Sequence, residues 1–226
     1  MAKARRLLLA ALLVLSLAAC GREDEEPEAT TTEAAATAPA GESGTCRSVG
    51  QPDPKPDGGQ DPPVGALDTA KTYRLVVTTN CGEFTITLDQ EKAPKTTASL
   101  VSLAENGFFD GTGFHRVVPG FVIQGGDPTG TGSGGPGYST VDVPPPGTAY
   151  TEGVVAMAKA GFEPPGTAGS QFFVVTGADV GLPAEYAVVG TVTDGLATVQ
   201  AIDSLGVGDG PPSQPVVMEK VTVESE

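Results

Sequence analysis

Alternating apolar and polar positions dominate the chain from residue 73 onward and predict a sheet of short strands. Two alternating runs, Tyr73–Thr79 and Glu83–Leu88, flank Asn80-Cys81-Gly82, which is typical of a hairpin turn. Further strands are predicted at Phe114–Val118, Phe121–Gln124, Gly153–Lys159, Ser170–Thr176, Tyr186–Val192 and Val216–Val223. Because helices do not alternate with these strands, the pattern favours a mainly β fold, a closed antiparallel barrel of about eight strands.

Two segments have helical rather than strand spacing and predict two helices. Ala93–Asn106 carries Pro94 in its first turn, an apolar face, and a Gly directly after its end. Gly195–Leu205 places Leu196, Val199 and Ile202 at helical spacing.

The segment Phe114–Asp127, with the sequence FHRVVPGFVIQGGD, contains the only His of the chain and an Arg inside an apolar strand. Arg is rarely buried without a partner. Arg116 is therefore expected at a pocket wall or paired with an acid, and the alternative is a strand Arg whose guanidinium lies in solvent.

A second motif, GSQFFVVT, contains the predicted strand Ser170–Thr176. Strand alternation places Gln171 and Phe173 on one face and Phe172 and Val174 on the other. One Phe can therefore lie in the core while its neighbour faces a binding surface.

The N-terminus resembles a bacterial lipoprotein leader. Basic residues precede the apolar run Leu7–Leu17, which is too short for a permanent membrane span. Leu17-Ala18-Ala19-Cys20 resembles a lipobox, which implies that residues 1–19 are a signal peptide and that Cys20 carries several acyl chains. We therefore expect an exported protein, lipid-anchored to the outer face of the cell membrane; the alternative is an ordinary signal peptide with an incidental Cys.

Composition divides the rest of the chain into a tether and a domain. Residues 20–66 are acidic and rich in Pro, Thr and Ala, with few large apolar side chains, and are predicted to be a disordered spacer. Residues 67–226 form the predicted domain. Cys46 and Cys81 make one natural disulfide in an exported protein, and the alternative is two free thiols.

Charge and residue types exclude several functions. The formal net charge of −15 argues against nucleic acid as a partner, because phosphate binding needs a basic surface. One His and few available thiols make a zinc site improbable, and no P-loop or G-x-S-x-G elbow is present. A G-x-G-x-x-G from Gly130 to Gly135 lacks the βαβ context of a dinucleotide site. We therefore expect no metal and no cofactor, and a site that binds without a nucleophile.

The two motifs together are similar to the cyclophilin family of peptidyl-prolyl cis–trans isomerases. The resemblance extends from about Tyr73 to Val223 and includes VAMAKAG and AVVG in the same order. It implies an eight-stranded antiparallel barrel capped by two helices, with the active site on the outer face. This fold agrees with the elements predicted from periodicity.

The resemblance also implies residue roles. Arg116 matches the catalytic Arg of the family, and Phe121 and Gln124 are expected to act with it. The expected substrate-binding positions are His115, Val122, Gly130, Ala158, Lys159, Gln171, Phe173, Leu182 and Tyr186. Three of them depart from the common pattern: Val122 replaces a frequent Met, Lys159 a frequent Asn and Tyr186 a frequent His.

The function that follows is acceleration of X-Pro bond rotation in exported proteins, by transition-state hydrogen bonding from an Arg without a covalent intermediate. Its partners would be Pro-containing polypeptides, and the protein is expected to be a monomer. The alternative is a non-catalytic chaperone module that binds Pro-containing peptides on the same fold.

Overall fold

The computed structural model describes residues 45–226. The predicted signal peptide, the predicted lipidation site Cys20 and the first part of the predicted tether lie outside these residues. Within residues 45–226, no helix is long and apolar enough to cross a membrane.

Eleven strands and two helices make up the described part of the chain. The strands are β1 Tyr73–Thr79, β2 Gly82–Leu88, β3 Thr112–Gly113, β4 Arg116–Val118, β5 Val122–Gly125, β6 Thr140–Val141, β7 Val154–Met157, β8 Thr167–Ala168, β9 Phe172–Val175, β10 Val188–Asp194 and β11 Val217–Ser225. The helices are α1 Pro94–Glu105 and α2 Leu196–Asp203, so both predicted helices are confirmed with slightly shorter ends.

Nine of these strands form one antiparallel sheet in the order β3-β11-β1-β2-β10-β7-β9-β5-β4, and β6 and β8 pair separately. The sheet curls, because Gly113 of β3 also bridges Asp127 directly beyond β5. The mainly β class with two helices is confirmed. The main sheet of residues 45–226 has nine strands rather than the predicted eight, since the two-residue β3 is too short to show a periodicity.

Two hydrophobic clusters lie on opposite faces of the sheet. The larger one, inside the curl, includes Phe84, Ile123 and Phe172. The smaller one, on the outer face, consists of Val122, Tyr150, Ala156, Phe173, Val175 and Val188, with Phe121, Val154, Ala158, Val180, Leu182 and Tyr186 packed against it. Phe172 and Phe173 therefore face opposite sides, as the alternation predicts, and this outer cluster forms the floor of the candidate site.

The segment before the domain differs from the predicted tether. Residues 46–60, here called the strap, run along the domain instead of standing free. Cys46 forms a disulfide with Cys81, and the amides of Lys55 and Gly58 donate to the carbonyls of Pro128 and Gly135 at 2.8 and 2.9 Å. The ordered region thus begins well before residue 67, because backbone hydrogen bonds and a covalent link replace the apolar burial that this composition lacks.

Lys55 fixes the middle of the strap. Its ammonium group donates to the carbonyls of Gly107, Phe108 and Asp110, at 3.2, 2.6 and 2.9 Å, directly after the end of α1. A cation is favourable at this end of a helix. Burial lowers the pKa of Lys55, and the neighbouring charge of Asp110 opposes that shift.

Candidate active site

One row of opposed residues crosses four strands on the outer face of the sheet. Arg116 of β4 pairs with Gln124 of β5, which pairs with Phe173 of β9, which pairs with Ala156 of β7. Directly opposed side chains lie on the same face with Cβ atoms about 4.5–5.5 Å apart. The register of the sheet therefore places a guanidinium, an amide and an aromatic ring side by side.

A chain of side-chain hydrogen bonds orients the polar end of this row. Arg116 Nη1 donates to Gln124 Oε1 at 3.3 Å, and Gln124 Nε2 donates to Gln171 Oε1 at 3.1 Å. Gln171 Nε2 in turn donates to the carbonyl of Gly134 at 2.9 Å. Because each amide both donates and accepts, its orientation is determined, and the three polar predicted site residues act as one unit.

The other edge of the guanidinium is paired with an acid. Arg116 Nε and Nη2 donate to the two carboxylate oxygens of Asp209, at 2.5 and 3.0 Å. The hydrogen bond from Arg116 lowers the pKa of Asp209. Arg116 is thus paired with an acid, which is one of the two environments expected from the sequence. The sequence interpretation missed Asp209, which stands between two Gly residues in a loop with no recognisable motif.

Aromatic rings form an apolar pocket beside the Arg. The Arg116 guanidinium lies over the Phe121 ring, 5.8 Å from its centroid. Phe173 packs edge-on against Tyr186 at 5.6 Å, and Leu182 packs against the same cluster. Val122 is also part of this cluster but is almost fully buried beneath the surface. The structure therefore gathers the half-buried side chains of Phe121, Leu182 and Tyr186 around the outer cluster that contains the buried Phe173 ring.

The Lys159 side chain is buried and paired, and it lines one wall of a cleft. Its side chain is only 3% exposed and pairs with Glu185 at 3.1 Å. Its ammonium also donates to the Glu163 carbonyl and lies 5.5 Å from the Tyr186 ring centroid. Lys159 and Ala158 line a cleft of about 420 Å³ together with Gln124, Gly132, Gly134 and Gln171.

The glycine-rich loop after β5 contributes different residues from those expected. Gly132 and Gly134 line the cleft that Gln124 and Gln171 share, whereas Gly130 lies in a neighbouring cleft with His115. Asp127 causes this turn, because its carboxylate accepts hydrogen bonds from Thr129 and from the amide of Gly132. A side chain at Gly134 would collide with that carboxylate. Burial alone would raise the pKa of Asp127, but these hydrogen bonds lower it overall.

His115 lies at the junction of the two clefts, next to Gly132. Burial lowers its pKa, the charge of Arg116 acts in the same direction, and Asp127 opposes both. Within residues 45–226, neither ring nitrogen has a hydrogen-bond partner. A neutral imidazole in this position suits a residue that contacts substrate better than a charged imidazole would.

The family described as cyclophilin type peptidyl-prolyl cis-trans isomerase matches residues 74–223. The chain belongs to this family. Its curated relatives are named peptidyl-prolyl cis-trans isomerases, and this cyclophilin is an enzyme of that class.

Bacterial and fungal relatives agree with this assignment. A probable peptidyl-prolyl cis-trans isomerase A of Mycobacterium bovis is 41% identical over 171 residues, which cover 67% of this chain and 92% of that protein. A peptidyl-prolyl cis-trans isomerase-like 1 protein of Gibberella zeae is 36% identical over 161 residues, covering 69% of this chain and 98% of that protein.

Solved structures also match. A crystal structure of a cyclophilin-type isomerase from Cryptosporidium parvum superposes with a TM-score of 0.63 at 30% identity, covering 69% of this chain and 99% of that one. A second structure of that protein, determined in the presence of the dipeptide Ala-Pro, gives 0.62 at 31% identity and covers 68% and 99% of the two chains.

Asp203, at the end of α2, supports the turn that delivers Phe121 in this cyclophilin. Its carboxylate accepts from the Gly120 amide at 3.2 and 3.1 Å and from Thr176 Oγ1 at 2.7 Å. We expect Asp203→Ala to lower the free energy of unfolding by about 1–3 kcal/mol, since two donors lose a charged acceptor. A shift of the urea midpoint measures this.

Asp203→Asn is the matched variant, because it keeps one acceptor oxygen in the same place. It should retain most of the stability that the Ala variant loses. Equal urea midpoints for the wild type and Asp203→Ala would contradict the support assigned to this carboxylate.

Proposed function

We propose that this cyclophilin accelerates rotation about X-Pro bonds in exported polypeptides, with Arg116 as the hydrogen-bond donor in the transition state. The observation that carries the proposal is the row Arg116–Gln124–Phe173, which sets an oriented cation against an apolar pocket on an open face of the sheet. No nucleophile is needed, because no covalent bond is broken.

The barrier to be lowered comes from amide resonance. Rotation about a peptide bond has a barrier of about 18–20 kcal/mol, and uncatalysed X-Pro exchange takes roughly tens to hundreds of seconds. Resonance weakens when the prolyl nitrogen becomes pyramidal and can accept a hydrogen bond. A donor aimed at that nitrogen stabilises the twisted state more than either planar state, which is the requirement for catalysis.

The guanidinium of Arg116 suits this task. It is always charged, its planar fork is directional, and here it is held by Gln124 on one edge and by Asp209 on the other. A charged hydrogen bond contributes about 1.5–3 kcal/mol net. At 1.36 kcal/mol for each factor of ten, this amounts to about ten- to a hundredfold in rate.

The apolar pocket would supply the remaining rate enhancement. Phe121, Phe173 and Leu182 can hold the proline ring while the preceding carbonyl rotates, and Tyr186 closes one side. Support for a Pro-containing ligand comes from the related Cryptosporidium parvum enzyme, whose structure was determined in the presence of Ala-Pro. We infer that Pro-containing polypeptides bind the same face here.

A protease-coupled isomerisation assay on an X-Pro peptide tests the proposal. The wild-type protein should accelerate the slow cis-to-trans phase in proportion to its concentration. A non-catalytic chaperone module would bind the peptide and leave that phase unchanged. The intact Arg116–Gln124 pair supports the enzyme, because binding alone does not require an oriented donor.

The place of action is also part of the proposal. We propose that the protein is exported as a monomer and held at the outer face of the membrane through Cys20. The leader-like sequence supports this, and the Cys46–Cys81 disulfide is compatible with an oxidising compartment.

Replacing Cys20 by Ser should move the protein from the membrane fraction into the soluble fraction, because acyl chains supply about 0.8 kcal/mol of membrane binding for each buried methylene. Partitioning of the native protein into a detergent phase, followed by immunoblotting, measures the change. Cys46→Ser is the matched control and should stay with the membrane. Retention of the Cys20→Ser variant in the membrane fraction would exclude the lipid anchor.

A further inference from the structure

The loop between α2 and β11 places an acid directly against the guanidinium of Arg116. Asp209 stands in this loop between Gly208 and Gly210, and both of its carboxylate oxygens accept from Arg116. The Asp209 side chain is 65% exposed and that of Arg116 is 30% exposed. The pair therefore lies at the rim of the site, where solvent and substrate both reach it.

Backbone contacts hold this loop against β4. The Val117 amide donates to the Gly210 carbonyl at 2.8 Å, so the loop forms a bridge with the strand that carries Arg116. At the start of the loop, Gly206 packs so closely on Pro119 that an added Cβ would lie 2.6 Å from its Cδ. The main chain on either side of Asp209 is therefore fixed relative to Arg116.

The contact uses one edge of the guanidinium and spares the other. Asp209 takes Nε and Nη2, whereas Nη1 donates to Gln124 on the side of the pocket. A two-point contact between an Arg fork and a carboxylate sets the plane of the guanidinium as well as its position. Gln124 alone, with a single 3.3 Å contact, leaves that plane free to rotate.

We propose that Asp209 is a positioning residue that sets the plane of the Arg116 guanidinium, so that Nη1 faces the bound X-Pro bond. This inference rests on the proposed catalytic role of Arg116. An exposed ion pair contributes little to stability, so the role of Asp209 is expressed in the rate. Because both carboxylate oxygens of Asp209 accept from the guanidinium, Asp209 acts through Arg116 and affects kcat more than KM.

The test compares Asp209→Asn with the wild type in the isomerisation assay. We expect kcat/KM to fall about five- to tenfold, mainly through kcat, as orientation of the donor is lost. Glu224→Gln is the matched control: it removes the same charge from an exposed carboxylate on β11 and should leave the rate unchanged.

Two further readouts separate positioning from a structural effect. Salt screens an exposed pair, so wild-type kcat/KM should decline towards the mutant value between about 0.02 and 1 M salt, whereas Asp209→Asn should respond little. The Arg116 Nε–Hε signal in an NMR spectrum should shift and exchange faster in the mutant, while melting temperatures stay equal.

The outcomes distinguish this inference from the function on which it rests. Asp209→Asn with wild-type kcat/KM, beside an impaired Arg116→Ala, overturns the positioning role and leaves the catalytic role intact. A wild-type rate for Arg116→Ala overturns the proposed function itself. A slower Asp209→Asn with an unchanged Arg116 Nε–Hε signal also overturns the positioning role.

Discussion

Arg116→Ala should lower kcat/KM for an X-Pro peptide about ten- to a hundredfold while the protein stays folded. The guanidinium is the group that we propose donates to the prolyl nitrogen, and the strand pairing that holds its row partners Gln124 and Phe173 does not depend on the Arg116 side chain. The ion pair with Asp209 is exposed, so its loss has a small effect on stability. Protease-coupled kinetics measures the rate, and circular dichroism checks the fold.

Two variants sharpen this comparison. Arg116→Lys keeps the positive charge but loses the planar fork, so its rate should lie between those of wild type and Arg116→Ala. Arg74→Ala removes a different Arg, which pairs with Glu226 near the edge of the domain, and should leave the rate unchanged. If Arg116→Ala and wild type turn over the peptide equally, catalysis by this residue is ruled out.

Removing the Cys46–Cys81 disulfide should produce the largest loss of stability among the changes considered. The bond closes a loop of sequence separation 35. In the chain-entropy model, a loop of that size contributes about 3–4 kcal/mol by restricting the unfolded chain. The double variant Cys46→Ser with Cys81→Ser should therefore melt about 6–16 °C lower in a calorimeter.

Adding a reductant to the wild type provides an independent version of this experiment. Reduction and the double variant should give the same melting temperature, and reductant should not affect the double variant. Lys55 keeps its three carbonyl acceptors in both cases, so the strap should loosen first at its Cys46 end. A melting temperature that does not respond to either change would contradict the stabilising role of the bond.

The features predicted well from sequence are those with a local physical cause. Successive side chains of a strand point to opposite faces, so the opposite faces of Phe172 and Phe173 in GSQFFVVT follow from the pleat alone. Helix α1 begins with Pro94 and ends beside Asn106, and both residues act within one turn of the helix. The motif around Arg116 is long enough to indicate a family. The family resemblance then predicts the other residues of the site, which strand periodicity alone cannot predict.

The features that were missed depend on distant parts of the chain. Asp209 meets Arg116 only because the loop after α2 bridges to Val117, a contact between residues far apart in sequence. The strap has a composition typical of disorder, and its order comes from partners such as Pro128 and Gly135. Gly130 and Gly132 look equivalent in a run of glycines, but the Gly130 amide donates to the carbonyl of Asp127 and the Gly132 amide donates to its carboxylate.

The position of β11 has a consequence for how the chain folds as it is made. β11 is the last strand of the described sequence, yet it lies inside the sheet between β3 and β1. During synthesis, β1 therefore keeps one edge unpaired until residues 217–225 have emerged. Open strand edges recruit other chains, and long-range pairings form slowly. A protein proposed to help others fold thus completes its own sheet only when residues 217–225 pair in the interior of that sheet.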